Sequence, residues 1–386
     1  MPENPLRQLH AAGQSIWLDF IDRGFLATPE LARLIGDDAL AGMTSNPTIF
    51  EKALAQGSAY DEQLRAAPEG LTAEQLFELI ATEDVRAACD MFRPVYDATK
   101  GHDGYVSLEV SPALAGDAEA TILEARRLWR TVERPNVMIK VPGTPEGAHA
   151  ARRLLADGVN VNITLLFAIE AYATIIDAYL DALEERASRG LDVAGIASVA
   201  SFFVSRVDTE IDARLDALAA NELAASAPGR RAAALRALRG RAAIANARLA
   251  YALFRERFSG PRWDALRARG ARVQRPLWAS TSTKNPAYRD VVYVEALIGP
   301  ETVNTMPPPT LDAFRDHGVV QRTVDEDVAG AEQLVRELGE AGIRMSDVTD
   351  KLLVEGLASF RKSYEGLLVG LGRKVRSLGR AMAAAE

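Results

Sequence analysis

The chain has 386 residues, 48% of them hydrophobic and 25% charged. That excludes general disorder and leaves room for two or three domains or one large α/β barrel. Lys and Arg number 45 against 53 Asp and Glu, a net charge of −8, so nucleic acid is a poor main partner, since neutralising phosphates needs a cationic excess; a local basic pocket for a small anion remains open.

In chain order, a helical lead-in (about 1–14) is followed by β-like runs alternating with longer helical patterns. The predicted strands are Ser15–Phe20, Gly42–Asn46, Tyr105–Val110, Val137–Val141, Val159–Phe167, Ile196–Phe203, Gln274–Ser280 and Thr302–Met306. Amphipathic stretches such as Ala73–Phe92, Asp117–Val132, Thr144–Asp157 and Ala168–Arg189 lie between them. Strand then helix, repeated, implies parallel strands with crossover helices, and eight such strands predict one closed (β/α)₈ TIM barrel with extra helices. The surplus falls in an Ala-, Arg- and Leu-rich helical excess within 211–272, broken around Ala227–Gly229, and in a C-terminal helix, about 347–385, expected on the outside of the barrel. The arginines of the excess read as a solvated helix face, because acids are interspersed and no aromatic stacking series accompanies them.

Cys89 is the only cysteine, so no intrachain disulfide can form, and its place in a helical pattern predicts a buried, inert thiol. The four histidines lack ligand spacing, so neither a metal site nor a cofactor is expected. No segment approaches the roughly 20 apolar residues of a membrane span. The opening MPENPLRQLHAAGQ has no apolar core with a cleavage site, so no signal peptide is expected; with the lone cysteine, this points to the cytoplasm.

Side chains alternate across a strand, so residues of equal parity share a face. Val137, Ile139 and Val141 oppose Met138 and Lys140; Val159, Val161, Ile163 and Leu165 oppose Asn160, Asn162 and Thr164. Val106, Leu108 and Val110 oppose Ser107 and Glu109; Ile16, Leu18 and Phe20 oppose Trp17 and Asp19. The apolar faces suit packing against helices. Asp19, Glu109, Lys140, Asn162 and Thr164 then point into the barrel, toward the strand ends where barrel active sites form. Several buried polar groups on several strands make a poor structural core. Lys140 is the natural covalent agent: desolvation disfavours an ammonium, and a free amine can attack a carbonyl to give a Schiff base, an electron sink for C–C cleavage. Asp19 and Glu109 offer the two acid/base groups, and Asn46, Asn162 and Thr164 could hold hydroxyls. Arg206, and the turn Ser280-Thr-Ser-Thr-Lys284 after strand seven, are candidate anion ligands, which suggests a sugar phosphate.

The chain resembles the transaldolase family, in its longer bacterial subgroup, over nearly its whole length. The resemblance rests on Gly42-Met-Thr-Ser-Asn-Pro-Thr-Ile-Phe50, Val137-Met-Ile-Lys-Val-Pro-Gly-Thr144, Gly158-Val-Asn-Val-Asn-Ile-Thr-Leu-Leu-Phe167 and Ala279-Ser-Thr-Ser-Thr-Lys-Asn-Pro286, in that order. It implies a (β/α)₈ barrel and Schiff-base transfer of a dihydroxyacetone unit from sedoheptulose 7-phosphate to glyceraldehyde 3-phosphate, in the pentose phosphate pathway. Carried over, Lys140 is the Schiff-base lysine and Asp19 the acid/base at the cleaved bond, while Glu109 and Thr164 polarise the water of the carbinolamine steps. Asn46 and Asn162 bind donor hydroxyls with Thr44 and Ser201 nearby, Phe203 lines the pocket, and Arg206 holds phosphate. Where the better-known pattern has Ser-Phe-Arg at the second phosphate site, this chain has Ser280-Thr-Ser-Thr-Lys284, so Ser280 and Lys284 take that place. A fructose-6-phosphate aldolase-type lyase and a non-catalytic sugar-phosphate-binding barrel are the alternatives.

Overall fold

A computed structural model describes residues 4–55, 57–224 and 229–383. Eight parallel strands close into a barrel in sequence order: β1 (Gln14–Asp19), β2 (Leu40–Thr44), β3 (Tyr105–Glu109), β4 (Val137–Pro142), β5 (Val161–Leu166), β6 (Ser198–Phe203), β7 (Arg275–Ala279) and β8 (Thr302–Met306). Each predicted strand overlaps an observed one. β2 starts two residues early, so Asn46 falls in the turn beyond it, where its side-chain oxygen accepts from the Ile49 amide and caps the helix Pro47–Ala55.

The crossover helices begin where their sequences supply caps. Thr72 and Gln75 form a reciprocal capping box for Ala73–Ala98. Asp117 caps Ala118–Val132, and Thr144 caps Pro145–Ala156 with proline at the first helical position. The helical excess resolves into Ser205–Ala224, Arg230–Ala237, Ala242–Arg257 and Pro261–Arg267. Of its expected break, only Gly229, with φ 71°, lies among the described residues. Cys89 is buried, and burial pushes its thiol well up, as an inert core position requires.

Two expectations are corrected. The C-terminal helix, Met345–Ser377, does not pack on the outside: it crosses the C-terminal mouth, touching the helix Pro47–Ala55, the end of β5 and the helix Ser205–Ala224. Leu165 does not continue the outer face of β5. A bulge between Ile163 and Leu166 puts Leu165 in the left-handed region at φ 60°, and its side chain meets the C-terminal helix at Gly356. One extra residue in a strand breaks the two-residue alternation on which the face reading depended.

The bottom of the barrel is closed by polar side chains that satisfy one another. Arg275, at the start of β7, reaches Asp103 at 3.0 Å, Ser15 Oγ at 2.7 Å and the His102 carbonyl at 2.7 Å. Asp103 also accepts from Trp17 Nε1 at 3.0 Å and from Ser15 Oγ. Burial alone would raise the Asp103 carboxyl, but the Arg275 charge and these bonds outweigh it and hold it below the usual carboxylate range. Above the pair the Trp17 indole fills the interior so closely that a Cβ at Gly42 would sit 2.6 Å from the ring, which is why β2 carries glycine there. Removing one partner of a buried ion pair strands the other charge, so Asp103→Ala should lower the unfolding free energy by ~3–5 kcal/mol in a denaturant titration. A loss below ~1 kcal/mol, the value of a surface pair, would show that this network does not hold the barrel floor.

Candidate active site

The register sets the top of the barrel. Glu109 on β3 lies opposite Lys140 on β4, Lys140 lies opposite Asn162 on β5, and Asp19 on β1 lies opposite Thr44 on β2. Because register and parity agree, these side chains enter the same interior. Lys140 Nζ stands 3.2 Å from Glu109 Oε2 and donates to the Ser45 carbonyl at 3.1 Å, with the Phe360 ring centred 5.7 Å away. The Lys140 side chain is 6% exposed and that of Glu109 4%, so the pair works in a low dielectric, where charge interactions are strong.

Asp19 lies across the cavity, its Oδ1 accepting from Thr44 Oγ1 at 2.7 Å, and Thr44 in turn pairs with Thr305 at 2.7 Å. Burial raises the Asp19 carboxyl above its ordinary value; the Lys140 charge and the Thr44 hydrogen bond oppose that shift without cancelling it. Glu109 is raised too, by burial against the opposing pull of Lys140. Two carboxyls held toward their neutral forms beside one amine are suited to proton transfer. The Thr164 hydroxyl and Glu109 Oε1 are buried without a hydrogen-bond partner, and Glu109 Oε2 has only the Lys140 ammonium. Asn162 is fully buried and engaged at both ends, donating to Ser107 Oγ at 3.0 Å and accepting from Ser201 Oγ at 2.7 Å.

These groups bound a cavity of about 580 Å³ at the C-terminal ends of the strands. Asp19, Thr44, Asn46, Lys140, Thr164, Ser201, Phe203, Arg206, Ser280 and Lys284 line it; Glu109 and Asn162 lie behind its wall. At the outer end Arg206 covers the Phe203 ring, its guanidinium 5.3 Å from the centroid. Asp208 and Glu210, the acids nearest in sequence, are turned elsewhere: Asp208 accepts from the Ala243 amide and Tyr293, and Glu210 pairs with Arg214 and Lys351. Ser280, in the left-handed region at φ 55°, bonds through its hydroxyl to Ser205 at 3.1 Å. Lys284 donates to Ser282 at 2.7 Å, and burial followed by the Arg206 charge lowers its ammonium from the ordinary value. Neither cation makes an ion pair among the described residues, and they converge as an anion site would require.

The profile of the Transaldolase/Fructose-6-phosphate aldolase family matches residues 16–371. A transaldolase of Thermobifida fusca (strain YX) is 50% identical over 367 residues, covering 95% of this chain and 96% of the relative. Transaldolases of Parafrankia sp. (strain EAN1pec) and Trichodesmium erythraeum (strain IMS101) are 48% and 45% identical over 94% and 98% of this chain, and over 96% and 99% of their own lengths. The chain belongs to the transaldolase/fructose-6-phosphate aldolase family.

Within this family member, the cavity wall also includes residues not expected from the sequence, among them Lys52, Thr305 and Phe360. Lys52, on the helix Pro47–Ala55, lines it, and its charge acts on Lys284; its place two residues after the Gly42–Phe50 motif was the available signal. Thr305 enters from β8, and Phe360 descends from the C-terminal helix. Nothing local marks Phe360, which occupies an apolar helix position like any other.

The raised carboxyls carry a stability consequence. A carboxyl whose folded-state value is raised holds its proton to higher pH than in the unfolded chain, so folding loses stability as pH rises from the ordinary range, near 3.8 for Asp19 and 4.5 for Glu109. Asp19→Asn removes that penalty without breaking an ion pair, whereas Glu109→Gln would strand the buried Lys140 charge. Asp19→Asn should melt above the parent at neutral pH, and the advantage should shrink as the pH falls into the ordinary carboxylate range. A constant offset across that range would mean that packing, not ionisation, accounts for the change.

Proposed function

We propose that this barrel is a transaldolase that moves a dihydroxyacetone unit from sedoheptulose 7-phosphate to glyceraldehyde 3-phosphate, yielding erythrose 4-phosphate and fructose 6-phosphate in the pentose phosphate pathway. The observation that carries the residue roles is the Lys140 amine, buried against Glu109 in a cavity that also exposes Asp19. Relatives of 45–50% identity that bear the transaldolase name support the reaction.

In this reading Lys140 adds to the donor ketone, and the carbinolamine loses water with Glu109 as acid and Thr164 as its hydroxyl partner. The protonated imine then accepts the electrons of the adjacent α–β bond as Asp19 takes the proton of the β-hydroxyl. The aldehyde departs and the enamine remains on Lys140. An acceptor aldehyde enters, the enamine attacks its carbonyl, Asp19 returns the proton, and water releases the new ketose. Thr44 orients Asp19, while Asn46, Ser201 and, through Ser201, Asn162 hold hydroxyls. Phe203 walls the chain of the sugar, and Arg206, Lys284 and Ser280 hold its phosphate. Binding alone needs no amine in the barrel, which disfavours a non-catalytic role. A cytoplasmic site of action belongs to the same reading, supported by the buried free thiol of Cys89 and by the absence, among the described residues, of a helix long and apolar enough to cross a membrane.

Borohydride reduction in the presence of fructose 6-phosphate should label the peptide Val137–Thr144, and Lys140→Arg should abolish both label and turnover, because a guanidinium stays protonated. An adduct on another peptide would reassign the nucleophile. Asp19→Ala should lose ~10²–10⁴-fold in kcat and still be trapped. Without an acceptor, the parent should release little free dihydroxyacetone; rapid release would favour the lyase.

The phosphate assignment has its own readout. Losing one charge-assisted hydrogen bond costs ~1.5–3 kcal/mol, so Arg206→Ala should raise KM for fructose 6-phosphate on the order of 10–100-fold, and far less for unphosphorylated fructose. Lys284→Ala should show the same selectivity more weakly, since lysine gives a point contact. Equal losses for both sugars in Arg206→Ala would remove the phosphate from this site.

A further inference from the structure

Glu109 faces two ways. One carboxylate oxygen is 3.2 Å from Lys140, yet the residue does not line the substrate cavity. It borders two other cavities on the far side of the β2 and β3 loops. The larger, about 270 Å³, lies among the helices Ala73–Ala98 and Ala118–Val132, the short 3₁₀ turn Pro112–Leu114 and Tyr364 of the C-terminal helix. The smaller is a narrow wedge that reaches Asn46, itself on the wall of the substrate cavity. The two share Phe77, Leu108, Glu109 and Tyr364, so they form a line that runs outward from beside Glu109. The outer rim, at Glu74 and Ala113, is exposed.

Two features make this line suited to water. A water molecule takes roughly 30 Å³ in the liquid, so the larger cavity has room for several. Its wall also carries polar groups at depth: the Glu124 carboxyl accepts from the Ser111 amide at 2.8 Å, and burial raises that carboxyl. At the inner end Glu109 Oε1 is buried with no hydrogen-bond partner, and Oε2 has only the Lys140 ammonium at 3.2 Å; an empty buried carboxylate oxygen is unusual unless a small polar molecule reaches it.

We propose that this rear cavity is the passage by which water leaves and enters the Glu109 site while a sugar phosphate fills the front mouth. The inference rests on the reading of Lys140 and Glu109 given above. In the step it serves, the carbinolamine C–O bond breaks, its oxygen takes the proton of the Glu109 carboxylic acid and departs as water, and the nitrogen lone pair closes the C=N bond. Neutral carbinolamine and neutral acid become protonated imine and carboxylate. The reverse step needs one water delivered to the same place. A sugar phosphate bound in the front cavity would stand between Lys140 and the mouth, whereas the rear line opens at its own rim.

The test follows the oxygen. Fructose 6-phosphate labelled with heavy oxygen at its ketone is incubated with enzyme and no acceptor, and label loss is measured by mass spectrometry beside the rate of borohydride-trappable imine formation. In the parent, label should be lost as fast as the imine forms and reverses. Ala113→Trp and Leu114→Trp narrow the rim from two positions, so that a folding defect in one leaves the other. Each should lower label loss per imine formed by about tenfold, because retained water returns to the carbon it left. Ala113→Ser should behave as the parent. Label loss at the parental rate in the tryptophan variants, with imine formation intact, would overturn the rear passage and leave the Lys140 reading standing. Absence of any trapped imine in the parent would instead remove that reading.

Discussion

The Lys140–Glu109 pair is the contact on which the upper half of the barrel depends. Neighbouring parallel strands put the two side chains in register, and closure leaves them no path to bulk water other than the cavities. A pair so sequestered is costly unless its remaining polar atoms are satisfied, and here they are not: Glu109 Oε1 and the Thr164 hydroxyl lack hydrogen-bond partners. The arrangement therefore leaves buried hydrogen-bonding capacity unused beside the amine.

The floor of the same barrel shows the opposite condition. Arg275 and Asp103 are as deeply buried, yet Ser15, Trp17 and the His102 carbonyl absorb their hydrogen-bonding capacity. One buried ion pair closes the barrel floor; the other borders a cavity. The difference lies in the neighbours. At the floor, side chains from β1, the loop before β3 and β7 converge on the pair, whereas at the mouth a cavity opens beside it and a distant helix borders that cavity.

The C-terminal helix links the two halves of the argument. By crossing the mouth it places Phe360 over Lys140 and Tyr364 beside the rear cavity, and Gly356 lets it approach Leu165 closely. One helix thus borders both the cavity that holds the amine, through Phe360, and the rear line beside Glu109, through Tyr364.

The sequence by itself determined the barrel and most of its inward-facing chemistry. The eight strands were legible because apolar and polar residues alternate with a period of two between helical patterns of period 3.6. The same parity places Asp19, Glu109, Lys140 and Thr164 on the interior face, and the cavity at the strand ends brings Arg206, Ser280 and Lys284 beside them. Parity failed at Leu165, where a bulge inserts one residue, and it had nothing to say about Asn46, which lies past the end of its strand. Tertiary structure alone decided the course of the C-terminal helix, and with it Phe360, and the placement of Lys52 beside Lys284. An amphipathic helix advertises that it has an apolar face but not which surface that face meets, since the hydrophobic effect is non-directional and its partner here lies hundreds of residues away in the chain.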